Sequence, residues 1–397
     1  MKKKLLVFNK ALAPYSIDFF NDLSEAFDAN IYLFRSNLRS QQFDMNKLLS
    51  QLNFIPHFIT CGFEFRGKGR LVRFGYLRKI VQHKPDILLV WEFNWIAFLS
   101  TLFTKILFPR TLVYSMCDDS VDVAKTSSLG RRLGRRMCFL VLDGLILDNE
   151  FVEEWYNNNF PKVRTIVFPI IQKEERILSI MEDAKSITQT YIDKYKLAGR
   201  DVLLFVGRLV AVKNLFFLIE VFNEYVKQNE NAVLILVGDG DQKAVLILLA
   251  EKLNLQDKVI FAGRYEHKEL YAWFGVADYF VLPSTWEPFG AVVNEALIAG
   301  VPVICSNVAG AACLITEQNG KLFNPQDKQE LISVLNQLFE KKKALGNDLE
   351  STTRKKGTLM PYTYNLKIRQ LVDFLEKEHN ELLVRKLKKN KTVIPTV

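Results

Sequence analysis

The feature of this sequence that most constrains its fold is a series of short apolar runs separated by amphipathic stretches. Five runs fall in each half of the chain, at residues 4–8, 30–34, 87–90, 111–115 and 144–147, and at 202–206, 232–237, 259–262, 279–282 and 303–305. Runs that are apolar at successive rather than alternate positions indicate strands buried on both faces of a parallel sheet. Their alternation with helical patterns predicts an α/β protein in which one βα architecture is used twice.

A polar, helix-prone segment at residues 171–200 separates the two groups of strands. At about 150 residues per domain, a chain of 397 residues has room for two or three domains, and 49% hydrophobic residues supply their cores. We place the junction near 175–195, which gives one domain over residues 1–180 and a second over 190–360.

The charge balance favours an anionic partner. Lys plus Arg exceed Asp plus Glu by nine, which suits a nucleotide, a nucleic acid or an anionic lipid, or serves solubility alone. No nucleic-acid-binding motif is present, so nucleic acid is not expected. Two basic clusters either contact an anionic membrane surface or are simply solvated. They are Arg131, Arg132, Arg135 and Arg136, and Arg385, Lys386, Lys388, Lys389 and Lys391.

The cysteines and histidines predict neither a disulfide framework nor a metal site. Five cysteines are scattered without a CxxC pair, and the four histidines form no HExxH motif. The longest apolar stretch, 87–108, is interrupted by Glu92, Asn94 and Lys105 and does not reach the about 20 apolar residues of a membrane span. We therefore expect a cytoplasmic protein without a metal, peripheral at the inner face of the membrane if the basic clusters bind lipid.

The segment VGRLVAVKN, residues 206–214, follows a predicted strand and carries a cationic pair. Gly207 lets the backbone approach a ligand, Arg208 offers a forked donor, and Lys213 offers a point charge. Open parallel sheets bind ligands at the carboxyl ends of their strands, where this loop lies. The pair is a candidate diphosphate site, although a surface Arg and Lys in an ordinary βα loop would look the same.

The segment LPSTWEPFGAVVNEALIAGVPVICS, residues 282–306, carries the strongest signal. A predicted strand ends as it begins, and Pro288 suits the start of a helix. Phe289, Gly290 and Ala291 would then present free backbone N–H groups at a helix N-terminus, which is a ready anion site.

Two carboxylates flank that helix start, Glu287 and Glu295. If both were on the helix they would lie about 12 Å apart along its axis. This exceeds the about 5–9.5 Å between the two carboxyl groups of a glycoside hydrolase. We therefore interpret them as two acceptors for hydroxyl groups rather than as an acid/base couple.

In order and spacing, these motifs resemble those of the retaining glycosyltransferases of family four. The similarity runs from about residue 202 to 325, through VGRLVAVKN, LVGDGDQ, KVIFAGRY, the segment above and NGKLFNP. It implies the α/β fold called GT-B, two facing Rossmann-like domains with parallel sheets. A C-terminal helix, here within 361–397, would cross back onto the N-terminal domain. The N-terminal domain would bind the acceptor and the C-terminal domain the nucleotide-sugar donor.

The resemblance also implies roles for single residues. Arg208 and Lys213 match the residues that hold the donor diphosphate. Glu287 opens the family's E-x7-E motif and looks like the catalytic-site residue that holds sugar hydroxyls, while Glu295 closes it and is similar to the carboxylate on the nucleotide ribose. The donor-binding groups that would act through the backbone belong to Gly207, Phe289, Gly290 and Ala291. No metal or other cofactor is implied, because Arg, Lys and the helix dipole take its place.

The acceptor side departs from the family pattern in two places. The loop after the first strand, residues 9–16, lacks the usual Gly, which leaves Lys10 and Tyr15 as candidates there. Where many members have a His, this chain has Asp118 and Asp119, either of which would act as a general base on the acceptor hydroxyl or merely cap the next helix. Further acceptor-side candidates at another strand end are Glu92 and Asn94.

The resulting prediction is a retaining hexosyltransferase, of EC 2.4 type, that uses a UDP- or GDP-sugar. The acceptor would be a glycan or lipid-linked glycan in cell-surface polysaccharide biosynthesis. Two alternatives stay open: another reaction on a nucleotide sugar, such as epimerisation, and a catalytically degenerate GT-B protein acting as a scaffold or glycan-binding module. None of these motifs encodes the base, the sugar, the acceptor or the linkage.

Overall fold

The computed structural model describes residues 1–37, 43–64, 71–344 and 357–391. It divides into two compact units: unit 1, which comprises Met1–Ile170 and Asn365–Val397, and unit 2, which comprises Ile171–Tyr364. Within the described ranges, none of the helices combines the length and the hydrophobicity that a membrane span requires.

Unit 1 is built on a parallel sheet with the strand order β3-β2-β1-β6-β7-β8-β9. These strands are β1 (Lys4–Asn9), β2 (Asp28–Leu33), β3 (His57–Phe58), β6 (Ile87–Trp91), β7 (Leu112–Cys117), β8 (Gly144–Leu147) and β9 (Arg164–Val167). A separate antiparallel pair consists of β4 (Gly62–Glu64) and β5 (Leu71–Arg73). The helices are α1 (Ile17–Ala26), α2 (Met45–Leu49), α3 (Tyr76–His83), α4 (Trp95–Leu107), α5 (Val121–Thr126), α6 (Leu129–Phe139) and α7 (Glu150–Asn159).

Unit 2 contains a second parallel sheet, with the order β12-β11-β10-β13-β14-β15. Its strands are β10 (Asp201–Val206), β11 (Ala232–Val237), β12 (Val259–Gly263), β13 (Tyr279–Leu282), β14 (Val303–Ser306) and β15 (Gly320–Phe323). The helices are α8 (Glu174–Asp183), α9 (Lys185–Tyr195), α10 (Leu215–Val226), α11 (Lys243–Lys252), α12 (His267–Phe274), α13 (Ala291–Ile298) and α14 (Lys328–Ala344). The prediction of an α/β protein with two parallel sheets is therefore confirmed.

The C-terminal helix, Tyr364–Lys391, packs on one face of the unit 1 sheet, and α4 packs on the other. Consecutive residues of a strand point to opposite faces. Val113 of β7 belongs to the apolar cluster that contains Ile80 of α3 and Ala97 of α4. The next residue, Tyr114, places its ring 5.7 Å from that of Phe374 in the C-terminal helix. The sheet therefore separates α3 and α4 from the C-terminal helix.

Polar contacts hold the C-terminal helix on unit 1. The ammonium group of Lys3 donates to the carbonyl oxygen of Glu376 at 2.8 Å, and Arg164 forms an ion pair with Glu378. In the predicted basic tail, Arg385 is exposed and pairs with Glu381 at 3.0 Å. The side chains from residue 386 onward lie outside the described part of the chain, so the role of the rest of this cluster stays a prediction.

Candidate functional site

The predicted donor-binding residues of unit 2 meet where the strand order of its sheet reverses. From β10 the chain moves outward through β11 and β12, and then returns to β13 on the other side of β10. The loops after β10 and β13 therefore open side by side, at the position where open α/β sheets bind their ligands. Lys213 lies in the first loop and Glu287 in the second.

Lys213 and Glu287 form an ion pair at this position. Lys213 ends a short 3-10 turn, and Asn214 fixes the start of α10 by donating to the carbonyl oxygen of Pro325 at 2.9 Å. The Lys213 Nζ contacts Oε2 of Glu287, and the two side chains are only 12% and 13% exposed. The same oxygen accepts a hydrogen bond from the Ser284 hydroxyl at 3.4 Å. The cation predicted to bind phosphate and the carboxylate predicted to bind sugar hydroxyls are thus in direct contact.

Helix α13 begins at Ala291, so the prediction that it starts at Pro288 was wrong. The cause is a long-range contact, since Glu287 forms a parallel β-bridge with Ala309 and keeps the segment before the helix non-helical. Gly290 then turns the chain into the helix with a φ of 99°, which only glycine adopts without strain.

The turn into α13 leaves backbone donors available. The carbonyl oxygen of Phe289 accepts from the N–H of Ala311 at 2.7 Å, which fixes the turn from behind. Among the residues that the structure describes, none accepts a hydrogen bond from the N–H groups of Phe289, Gly290 or Ala291. Together with the positive end of the helix dipole, these groups form a site suited to an anion.

Glu295 lies within α13 and is held by two donors that the sequence did not reveal. Its Oε1 accepts from Nε2 of Gln172 at 3.1 Å and from the hydroxyl of Tyr271 at 3.3 Å. Arg176 in turn donates to the amide oxygen of Gln172 at 2.7 Å. Burial raises the pKa of Glu295, and the Gln172 hydrogen bond, the Arg176 charge and the Tyr271 hydrogen bond oppose that rise. Gln172 and Tyr271 therefore fix the orientation of this carboxylate.

The loops after β10 and β11 are tied together beside Arg208. The N–H of Leu209 donates to the carbonyl oxygen of Asp239 at 3.0 Å. A Cβ atom on Gly238 would lie 1.8 Å from the carbonyl oxygen of Gly207, so this close approach requires glycine. Arg208 is exposed, and no side chain in the described ranges pairs with it. Its guanidinium is available to a ligand at the same sheet edge.

In unit 1, three predicted carboxylates lie at the carboxyl ends of the neighbouring strands β6 and β7. Arg131 of α6 joins two of them, because it pairs with Asp119 and reaches Oε2 of Glu92 at 3.3 Å. Asp119 is 1% exposed, and its other oxygen accepts from the Tyr156 hydroxyl at 2.7 Å. Both oxygens of Asp119 are therefore engaged, whereas Glu92 is partly exposed and Asp118 is exposed.

Asp118 is accessible to solvent, yet the protein packed around it raises its pKa to about 6. Desolvation is the largest cause, and the charges of Glu92 and Asp119 add to it. Asp148, directly after β8, is buried, and its pKa is raised by burial and by the charge of Asp118. Asp148 is not among the candidates predicted from the sequence, although it directly follows the apolar run at 144–147 and so lies at a strand end. In the part of the chain that the structure describes, no group of three or more His, Cys, Asp or Glu is arranged to hold a metal ion.

The other acceptor-side candidates have different surroundings. Asn94 caps α4, since its side chain accepts from the N–H of Ala97 at 3.0 Å and donates to the carbonyl oxygen of Trp91 at 2.8 Å. Tyr15 is half-buried in the 3-10 turn Pro14–Ser16. Lys10 is exposed, and its charge lowers the pKa of Asp118. Lys10 therefore lies close enough to Asp118 for its charge to act on that carboxylate, while both groups of the Asn94 amide are used in capping α4.

Part of the chain is similar in sequence to known glycosyltransferases. Residues 188–356 match the model of a family described as glycosyl transferases group 1. An uncharacterized glycosyltransferase of Methanocaldococcus jannaschii is 36% identical over 131 residues, which cover 33% of this chain and 33% of that protein. The alpha-monoglucosyldiacylglycerol synthase of Streptococcus pneumoniae is 30% identical over 169 residues, which cover 41% of this chain and 37% of that protein. The matched segments span about one third of the length of these curated relatives.

A solved structure extends the likeness to almost the whole chain. HepE from Anabaena, in complex with UDP-glucose, has a TM-score of 0.70 at 20% sequence identity, with coverage of 94% of this chain and 100% of that one. At this level of identity the likeness concerns the fold. With the two parallel sheets, it confirms the GT-B fold predicted from the sequence.

Proposed function

We propose that this chain, which carries a glycosyl transferases group 1 domain in residues 188–356, is a retaining glycosyltransferase. It moves a hexose-type sugar from a UDP- or GDP-sugar to a glycan or lipid-linked glycan in cell-surface polysaccharide biosynthesis. The observation that carries the proposal is the meeting of Lys213, Glu287 and the free N–H groups at the start of α13, where the strand order of unit 2 reverses. The complex of HepE with UDP-glucose favours uridine as the base.

Donor binding exchanges one set of partners for another. The diphosphate binds Lys213 and Arg208. Because Lys213 then no longer pairs with Glu287, the Glu287 carboxylate can accept a hydrogen bond from a sugar hydroxyl. Glu295, oriented by Gln172 and Tyr271, accepts from the ribose. Lys213, Arg208 and the helix N-terminus then stabilise the negative charge that develops on the departing diphosphate, which is the largest rate term in such a site.

Transfer proceeds with retention because the acceptor attacks from the face that the diphosphate leaves. The bond between the anomeric carbon and the phosphate oxygen breaks, a bond to the acceptor oxygen forms on the same face, and the leaving phosphate takes the acceptor proton. Asp118 accepts a hydrogen bond from the acceptor hydroxyl and orients it. A pKa of about 6 leaves this side chain mostly ionised at neutral pH. Asp119 is a positioning residue, since Arg131 and Tyr156 occupy it.

A thermal-shift screen of the pure protein against UDP, GDP, ADP and CMP, without added metal, tests the donor site. At a ligand concentration near 100 times the dissociation constant, binding stabilises the protein by about 2.7 kcal/mol. We expect one diphosphate to give a shift that Lys213→Ala and Glu295→Gln both abolish. Glu251→Gln, an exposed carboxylate of α11, is the matched control and should keep the shift.

The outcomes of the screen separate the candidate functions. No shift with any nucleotide, from folded protein, would refute the donor site and favour a scaffold or glycan-binding module. Turnover of the sugar nucleotide to an isomer without any acceptor would show epimerisation instead of transfer.

A further inference from the structure

Helix α4 turns its polar side chains inward and its apolar side chains outward. Ser100, Thr101 and Thr104 are fully buried, and the two Thr hydroxyls donate to carbonyl oxygens of the same helix at 2.7 Å. The exposed side chains of α4 are all apolar: Trp95, Leu99, Ile106 and Leu107. A helix on the surface of a water-soluble protein shows the opposite arrangement. The outward side of α4 is therefore suited to an apolar environment.

Helix α6 lies beside α4 and continues its apolar side. The steps from β6 to β7 and from β7 to β8 run in the same direction, so the two helices lie on the same face of the sheet. They are close, because a Cβ atom on Gly134 of α6 would lie 3.0 Å from the carbonyl oxygen of Phe93. Leu129, Leu133 and Leu140 are 77%, 61% and 84% exposed, and their spacing aligns them on one side of the helix.

These side chains form what we call the α4–α6 surface, which consists of Trp95, Leu99, Ile106, Leu107, Leu129, Leu133 and Leu140. Single exposed apolar side chains are ordinary on a protein surface. Seven such side chains on the outward sides of two adjacent helices are unusual, and such a group is typical of a surface that contacts a protein or a membrane.

The charged residues of α4 and α6 distinguish between a protein partner and a membrane. Neither α4 nor α6 contains Asp or Glu. Arg131 and Arg135 make their contacts within unit 1, since Arg131 pairs with Glu92 and Arg135 is only 3% exposed. Arg132 and Arg136 are exposed, and in the part of the chain that the structure describes no carboxylate pairs with them. At 3.6 residues per turn both border the Leu stripe of α6. The exposed side chains that α4 and α6 themselves contribute are thus either apolar or cationic.

We propose that the α4–α6 surface seats unit 1 on an anionic lipid bilayer. An apolar stripe bordered by Arg is the composition of helices that lie in the membrane interface, where the apolar side chains enter the acyl boundary and the cations meet lipid phosphates. Trp95 suits the same interface. A second copy of the chain would instead bring Arg132 and Arg136 against like charges.

The proposal goes beyond the transfer reaction and does not depend on it, because binding to lipid needs neither donor nor acceptor. At Phe374 the C-terminal helix packs on the sheet face opposite to α4.

Co-sedimentation of the full chain with lipid vesicles tests the proposal. Vesicles of an equal mixture of phosphatidylcholine and phosphatidylglycerol should bind the protein, and vesicles of phosphatidylcholine alone should bind it weakly. Replacing both Arg132 and Arg136 with Gln should weaken binding to the mixed vesicles about thirtyfold, because each cation near the lipid surface contributes about fivefold to the affinity. Leu133→Glu should weaken it about tenfold or more.

Matched controls lie on α11 of unit 2, at Lys252→Gln and at Leu248→Glu, whose native side chain is 62% exposed. Neither should change binding, and every variant should melt at the temperature of the unmodified protein. The proposal is overturned if the unmodified protein binds neither vesicle, or if the α11 variants lose binding equally. It is also overturned if only substitutions of Lys388 and Lys389 reduce binding. A protein that is a dimer, does not bind vesicles and becomes a monomer on Leu133→Glu would overturn it as well.

Discussion

Replacing Lys213 with Met removes the cation that pairs with Glu287 and leaves the mostly buried Glu287 carboxylate without a counter-charge. Removing one partner of a fully buried ion pair costs about 3–5 kcal/mol, whereas an exposed pair contributes about 0–1 kcal/mol. This pair is 12% and 13% exposed, and Ser284 remains as a donor to Glu287. We therefore expect a loss of about 2 kcal/mol in the free energy of unfolding of unit 2, and a Tm lower by roughly 4–8 °C.

The double variant Lys213→Met/Glu287→Gln distinguishes an ion pair from a packing defect. Without Lys213 the cost comes mainly from an uncompensated charge, so neutralising Glu287 should restore the free energy of unfolding to within about 1 kcal/mol of the original. Binding should not recover, since the diphosphate still lacks its cation. Glu287→Gln alone should keep the thermal shift with UDP and lose only the additional shift that a UDP-sugar gives.

Urea unfolding and thermal melting, each with and without UDP, are measured for the original protein, for the two single variants and for the double variant. The reasoning fails if Lys213→Met melts like the original protein, or if the double variant is no more stable than the single one. Recovery of the UDP shift in the double variant would show that Lys213 does not contact the diphosphate.

Asp118→Asn should remove the limb of the pH–rate profile that rises through about pH 6 and keep the UDP shift, because its carboxylate form accumulates above that pH. The raised pKa also means that the folded protein holds a proton that the unfolded chain releases near pH 4, so stability should fall from about pH 4 to 6, and urea titrations of Asp118→Asn should show a flatter profile. Tyr156→Phe removes a donor to the buried Asp119 and should cost about 1 kcal/mol in urea unfolding, with the UDP shift unchanged; a loss of UDP binding would contradict its assignment to unit 1. Gly238→Ala should abolish the UDP shift, because the new Cβ forces the Gly207 loop away; an unchanged shift would show that this loop does not contact the donor.

The strands that carry the site are predictable from local pattern, because a strand buried on both faces is apolar at successive positions. The runs at 202–206 and 279–282 coincide with β10 and β13. Since ligands bind beyond the carboxyl ends of such strands, Lys213 and Glu287 become candidates without any knowledge of the strand order.

Contacts between distant segments are not predictable in the same way. Gln172 lies in the polar stretch that separates the two groups of strands, yet it orients Glu295. The start of α13 at Ala291 depends on the bridge between Glu287 and Ala309, which no local pattern encodes. Likewise, the mixture of Thr, Ser and apolar residues in α4 does not show which side of the helix faces the sheet.

The loops after β10 and β11 cannot change length independently, because Leu209 bonds to Asp239 and Gly238 abuts Gly207. An insertion in either loop would shift one partner out of register and leave a backbone N–H and a carbonyl unpaired. We therefore expect related chains to differ at this edge of unit 2 by point substitutions rather than by insertions. In that case, a change in the proposed donor preference would arise through side chains such as Arg208, or through loops after other strands.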